Sequence, residues 1–373
     1  MTLRVIDGFD YFPTGQTDAI MLGLMGAAGW YVDSSSFPAG GPIPLQPVPG
    51  RFGFGNGVGY NRNVLFAGGN LGRWLRPLPL TIVTGFVGFG YYRGSTTTPE
   101  TIHPHFTFFD AVANDSQVTV YFEALGVISV YRGDRLTGTL LGSSLAGMFQ
   151  QDEWFQVEIK CKIDPSAGIV EVRINTVVVL SLINVNTQKT THAYFDTYAV
   201  GYNQVGGSSG SWVNFALDDF CLLDTAGAVN NNYLGTVRVW TQKTAGAGAL
   251  TQFSKFGTQP TNWQTVQNQL ADDSQYVYDG TTGDIDLYTV QALVTGPSVH
   301  GVQIRSAFRQ DDATQVNAHN VLKSAGTQVE GADHFINQTY TYYNDIWELD
   351  PHTGVGWSGT GVNALQIGPK KNA

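Results

Sequence analysis

The stretch WFQVEIKCKIDPSAGIVEVRIN, Trp154 to Asn175, decides the fold. Phe155, Val157, Ile159, Cys161 and Ile163 alternate with Gln156, Glu158, Lys160 and Lys162. A strict two-residue period puts one set on a buried face and the other in water. Asp164-Pro165-Ser166-Ala167-Gly168 supplies the turn, because proline fixes φ and glycine permits positive φ. Val170, Val172 and Ile174 then alternate with Glu171, Arg173 and Asn175. The pattern predicts an antiparallel hairpin with one wet face, the unit of a β-sandwich. Glu158, Lys160, Glu171 and Arg173 on that wet face are expected to pair as cross-strand charges.

The same signals recur on both sides. Thr81–Tyr92, Phe106–Val112, Val118–Phe122, Val127–Tyr131, 194–204 and 211–224 read as further strands with turn residues between them. That makes about ten strands with turns at short spacing, the pattern of a sandwich or jelly roll. No segment shows a sustained helical period, apart from short helical turns expected near Ser144–Phe149. The Pro-rich run from Pro38 to Pro49 is expected as an extended surface loop, since proline removes a backbone donor. Residues 226–235 read as a linker. A second, smaller β-sandwich domain then follows over 236–373, with strands at 284–290, 298–309, 315–323, 335–343 and 362–367 and loops at 244–250 and 257–264. The first domain is expected to span 1–225.

Composition agrees with this architecture. A chain of 373 residues is longer than one sandwich needs. It holds 45 glycines and 12% aromatics but only 13% charged residues, which suits a β-protein rich in tight turns and excludes long disorder. The net charge of −10 argues against a broad nucleic-acid surface and against attachment to anionic lipid. The apolar run Ala19 to Val32 is too short to span a bilayer. Asp7, Asp10 and Asp18 stand where a signal peptide needs basic residues. The reading is therefore a protein made and assembled in a cytoplasm, without membrane insertion. Cys161 and Cys221 read as buried thiols, with a disulfide between sheets left open.

The motifs that carry chemistry are weak. Gly354-Val-Gly356-Trp-Ser-Gly359 has nucleotide-loop spacing but no helix after it, and Gly206–Gly210 matches a nucleophile elbow without the strand-to-helix turn. His103-Pro104-His105 offers two imidazoles without a third ligand. Glu348-Leu-Asp350 and Asp284-Ile-Asp286 lack the third acid of a glucanase strand, and the charged residues of the 154–174 hairpin lack its spacing. No catalytic residue, cofactor or metal is therefore expected. Asp218-Asp219 breaks the alternation of its strand. The pair reads either as carboxylates accepting backbone hydrogen bonds or as calcium ligands at a sheet edge.

Three groups of strings carry a resemblance. They are Ile6-Asp-Gly-Phe-Asp10, then Leu217-Asp-Asp-Phe-Cys-Leu-Leu-Asp-Thr-Ala-Gly227 with Asn231-Asn-Tyr-Leu-Gly-Thr-Val-Arg-Val239, and last Asp284–Tyr288, Val299–Gln303 and Asp350–Trp357. In that order the chain resembles structural proteins of tailed bacteriophages that carry a concanavalin A-like (laminin-G-like) jelly roll and a second β-rich domain. The resemblance implies a virion protein of the tail fibre, baseplate or tail tip with a lectin-like surface for host attachment. It implies other virion proteins as partners, a homo-oligomer such as a trimer by analogy, and a host-surface glycan as ligand. The alternatives are a capsid decoration or connecting protein and, less favoured, a polysaccharide-degrading enzyme. The glycan-binding residues are expected at Trp212 and Tyr202, beside the Gly-Ser loop, and at His103 and His105.

Overall fold

The hairpin read from alternation holds its expected register: Val157 stands opposite Ile174, Ile159 opposite Val172 and Cys161 opposite Val170. A computed structural model describes residues 2–32, 46–52, 56–62, 71–94, 102–204, 213–268, 271, 273–293 and 298–372. The chain divides into two compact units, residues 2–239 and 240–373. The readings of residues 38–45 as a surface loop and of residues 206–210 as a glycine-serine loop fall outside the described residues.

In the first unit the elements run β1 (Leu3–Asp7), α1 (Asp18–Ala27), β2 (Tyr31–Val32), β3 (Gln46–Pro49), β4 (Asn56–Arg62) and β5 (Leu71–Ile82). They continue with β6 (Thr84–Arg93), β7 (Ile102–Asp110), β8 (Asp115–Phe122), β9 (Ile128–Arg132) and β10 (Thr139–Ser143). Last come β11 (Trp154–Lys162), β12 (Gly168–Ile174), β13 (Val177–Val185), β14 (Phe195–Gln204) and β15 (Val213–Asp224). One antiparallel sheet has the order β13-β12-β11-β6-β15-β4-β3, with β1 also on β15. The other has the order β10-β9-β8-β7-β14-β5-β2. The chain crosses repeatedly between them, so β14 lies between β7 and β5, far from both in sequence. These crossings make the unit a jelly-roll sandwich.

Alternation supplies the core between the sheets. Val87, Phe89 and Tyr91 of β6 and Val157 and Ile159 of β11 face Phe106 and Phe108 of β7, Val120 and Phe122 of β8, and Tyr198 of β14. Phe89 stacks on Phe106 at 5.4 Å and on Phe220 at 6.2 Å between ring centroids. Such pairs add about 0.5–1.5 kcal/mol each beyond their buried area.

Four local features differ from the sequence reading. Residues 18–27 form a helix, with Thr17 as its N-cap and Met21 and Met25, one turn apart, buried on the core. The apolar run hid this i, i+4 pair. Ser144–Phe149 forms turns and bends without a helix. The outer face of β11 is not wet: Gln156 and Glu158 are buried. Arg51 meets Gln156, and over Glu158 lies the segment expected as a linker. Gly235 N–H donates to Glu158 at 2.7 Å, and Tyr233 packs its ring under the Arg173 guanidinium at 3.7 Å and against Phe86 at 5.0 Å. Arg173 pairs with Glu171 on its own strand, and Lys160 lies over Phe86.

Fourth, β15 carries a bulge between Asp218 and Cys221, with Asp219 at φ 53°. An extra residue reverses which side chains face inward. Phe215 and Leu217 enter the core before the bulge, and Phe220 and Leu222 after it. Cys221 therefore leaves the inward register expected for it. Both cysteines are buried and free.

The second unit is also β. It contains β16 (Thr244–Thr251), β17 (Ser254–Phe256), α2 (Asn262–Thr265), β18 (Tyr276–Tyr278), β19 (Asp286–Val290), β20 (Ser298–Val299) and β21 (Val302–Phe308). β22 (Val316–Ser324), β23 (Thr327–Glu330), β24 (His334–Ile336), β25 (Thr341–Trp347), β26 (Trp357–Ser358), α3 (Gly359–Asn363) and β27 (Gln366–Lys371) complete it. A sheet of order β16-β19-β27-β22-β23, with β24 on β22, shares a core of Val290, Ile304, Leu322, Trp357, Val362 and Leu365 with the β21–β25 pair. The expected loop at 244–250 is strand β16. The strand expected at 362–367 is the end of α3 followed by β27, which takes in the Pro-Lys-Lys tail.

Thr187 staples the turn of the opening hairpin. Its hydroxyl accepts from Asp164 N–H at 2.9 Å and donates to Lys162 O at 2.6 Å. Thr187→Ala removes this partner from two part-buried backbone groups, at a cost of about 1 kcal/mol. The expected outcome is a thermal midpoint lowered by about 2–4 °C for each kcal/mol, read by calorimetry.

Candidate functional site

Alternation along β7, β8 and β14 puts Phe and Val between the sheets and leaves a polar layer on the opposite face of the seven-stranded sheet. His103, His105 and Thr107 of β7 lie on it, with Thr119 and Tyr121 of β8, Glu123 just after β8, Asn203 of β14 and Arg73 of β5. All but Glu123 are buried. The ladders set the contacts: His105 stands opposite Tyr121 on one side and Gly201 on the other, and His103 stands opposite Asn203. Gly201 leaves that flank of the imidazole without a facing side chain.

The layer is partly satisfied. Thr107 and Thr119 hydroxyls lie 3.1 Å apart. Tyr121 Oη accepts from Asn203 Nδ2 at 2.8 Å and from Arg135 N–H at 2.8 Å. The Arg135 side chain pairs with Glu123 and lies over the rings of Tyr121 and Tyr131. His103 Nδ1 is 3.1 Å from Glu123 Oε2. Arg73 donates to Ser116 Oγ at 2.8 Å and lies over Phe109. Neither ring nitrogen of His105 makes a hydrogen bond of good geometry, although the His103 backbone lies near enough to favour the charged ring, and Oδ1 of Asn203 has no hydrogen-bond partner. An unpaired buried group of this kind costs about 1–3 kcal/mol.

Electrostatics fix the protonation states. Burial, with the nearby Arg73 charge, pushes the His105 pKa down to about 3. The imidazole is therefore neutral near pH 7 and offers one donor and one acceptor nitrogen. Burial opposes charge on Glu123, but His103 and Arg135 outweigh it and bring its pKa down to about 2.

The four residues expected from sequence have separate fates. His103 and His105 come together on the polar layer. Tyr202 lies on the other side of β14, in the core between the sheets, 1% exposed and 6.4 Å from Trp74. It packs in the core on the face of β14 opposite the polar layer. Trp212 lies outside the described residues. Tyr121, Asn203, Glu123, Arg73 and Arg135 join this layer without having been singled out from the sequence. The alternation of Thr119, Tyr121 and Glu123 with Val118, Val120 and Phe122 carried the signal for two of them. The position of Asn203 depends on the β14–β7 pairing.

Two other polar groups resemble chemistry but serve structure. Asp110 accepts from Thr190 Oγ1 at 2.6 Å and pairs with His192 Nδ1 at 2.8 Å. The hydroxyl donates to the carboxylate, so this triad clamps a loop and holds no poised nucleophile. At the β15 bulge, Asp218 accepts from Arg51 N–H at 2.8 Å and Asp219 accepts from Val239 N–H at 2.7 Å. Burial and their proximity raise the pKa of Asp218 to about 7, and burial raises that of Asp219 to about 6. Both carboxylates thus accept backbone hydrogen bonds, as one of the two sequence readings has them. Among the described residues no three His, Cys, Asp or Glu side chains come together as a metal site.

No family model and no curated protein matches the chain. Solved structures give partial superpositions. A sialidase aligns over 60% of this chain at 10% identity and a TM-score of 0.40, and the chain spans 19% of that protein's length. The carbohydrate-binding module CBM66 from Bacillus subtilis aligns over 53% of this chain and 96% of its own, at 6% identity and a TM-score of 0.32. The carbohydrate esterase vb_24B_21 from the Shiga toxin-encoding bacteriophage phi24B aligns over 59% and 99%, at 11% identity and a TM-score of 0.36. The jelly roll is established by strand order and register rather than by likenesses of this size.

Glu123 gives a test of the polar layer. A carboxylate with a lowered pKa contributes stability that is complete above its ordinary value of 4.5 and drains away as pH falls through about 2. Glu123→Gln is expected to lower stability at neutral pH by about 1–3 kcal/mol. The gap to the wild type should close on acidification toward the folded pKa, read as thermal midpoints across that window.

Proposed function

We propose that the first unit is a lectin-like module that binds a glycan at the polar layer of the seven-stranded sheet. The observation that carries this reading is the His105 imidazole, which makes no hydrogen bond of good geometry, beside the unpartnered Oδ1 of Asn203. A sugar hydroxyl is both donor and acceptor, and adjacent hydroxyls match a neutral imidazole beside an amide oxygen. Binding would satisfy groups whose desolvation is already complete, so little of the interaction is lost to reorganisation. Because these atoms are buried, they would read a protruding hydroxyl rather than stack on a ring face. We further propose a binding role rather than glycan cleavage. The setting proposed is the virion of a tailed phage, at a tail fibre, baseplate or tail tip assembled in the host cytoplasm. There, many weak contacts would gain strength from copy number.

His105→Ala and Asn203→Ala are each expected to weaken binding to host surface polysaccharide by about tenfold or more, read by calorimetry. Undiminished binding in both variants would move the site elsewhere, and reducing-sugar release by the pure protein would replace the binding role with catalysis. Antibody-labelled virions viewed by negative-stain microscopy should carry label on the tail. Label confined to the capsid would instead support the decoration role.

A further inference from the structure

The strand β13, Val-Val-Val-Leu-Ser-Leu-Ile-Asn-Val, is an outer strand of the eight-stranded sheet. One edge pairs with β12, and among the described residues no strand pairs with the other. Such an edge presents a row of backbone N–H and C=O groups ready for another strand, and natural edges are usually guarded against this. The other outer strands of the sandwich are short or guarded. β3 carries Pro47 and Pro49, β2 is two residues long, and β1 and β10 are five residues long, β1 with Arg4 and Asp7. β13 has nine residues, no proline and no ionisable side chain, and its register with β12 shifts twice, leaving Leu180 to Ile183 as its regular run.

Its side chains add to the exposed edge. Val177, Val178 and Ile183 are 63%, 48% and 64% exposed. Leu180 and Leu182 are half-buried against the core, and Leu140 of the neighbouring β10 is exposed. Charge selects the occupant. The chain carries −10, so copies repel wherever acidic surfaces meet. Along β13 nothing repels. The adjacent row on β12 is also internally balanced, because Glu171 and Arg173, opposite Ser181 and Val178, pair with each other at 2.8 Å.

We propose that β13 pairs antiparallel with β13 of a second copy about a two-fold axis, joining the two eight-stranded sheets edge to edge. Self-pairing of an uncharged apolar strand brings valine and isoleucine opposite like residues, as an isologous interface requires. The inference is independent of the glycan reading, which concerns the other sheet. One strand pair buries less than the roughly 1,200 Å² of a stable complex. The dimer is therefore weak and reversible, with a Kd on the order of tens of micromolar.

Sedimentation velocity of the full chain from about 1 to about 300 µM spans that range. The wild type should move from one chain to two. Val178→Lys with Ile183→Lys, both at exposed positions, should stay monomeric with an unchanged circular dichroism spectrum and thermal midpoint. Amide hydrogen exchange should slow with concentration at residues 177–183 and not elsewhere. A wild type that remains monomeric at the highest concentration overturns the proposal. So does a dimer that survives the double substitution, or exchange protection located on another element.

Discussion

One extra residue in β15 governs both faces of the first unit. Without the bulge at Asp218–Asp219, Cys221 and Leu223 would continue the inward register of Phe215 and Leu217, and Phe220 and Leu222 would point away from the core. Phe220 stacks on Tyr198 at 4.7 Å and on Phe89, so the central aromatic cluster exists only in the bulged register. A slip of one residue moves every following side chain to the other face. The two aspartates at the bulge meet the backbone of Arg51 on one side and of Val239 on the other. That irregularity thus sets the core and anchors the segment covering the outer face.

The two sheets treat their outer faces differently. On the eight-stranded sheet the segment ending at Val239 meets one oxygen of Glu158 through Gly235 and one of Asp219 through Val239, and Arg51, from a different segment, meets Gln156. The seven-stranded sheet keeps a buried polar layer in which Glu123, Arg135 and Tyr121 are answered and His105 and Asn203 are not wholly so. Buried polar groups are normally paired. His105 and Asn203 lie on neighbouring strands, with Gly201 opposite His105.

Much of the fold was legible because two-residue alternation is a local property. The hairpin at 154–174, β8 and β14 follow from it directly. What escaped depends on partners distant in sequence. Glu158 reads as solvated until residues 233–235 fold over it. Tyr202 reads as a loop-flanking aromatic until β14 is inserted between β5 and β7, which turns its ring inward. Helix α1 was hidden because fourteen mostly apolar residues mask an i, i+4 pair of methionines. His103 and His105 stand out as a His-Pro-His string, but their neighbours Asn203 and Arg73 arrive from strands about 100 and 30 residues away in sequence, which no local pattern reports.

The segment that leaves the first unit has a mechanical meaning. A pull on the chain at residue 240 is met first by the Val239–Asp219 hydrogen bond, then by Gly235–Glu158 and the Tyr233 ring held under Arg173. Only after these yield does tension reach β15 and its ladder with β6. The strap thus acts as a fuse in series with the sheet: it lengthens under load by several residues while the sandwich keeps its strand order.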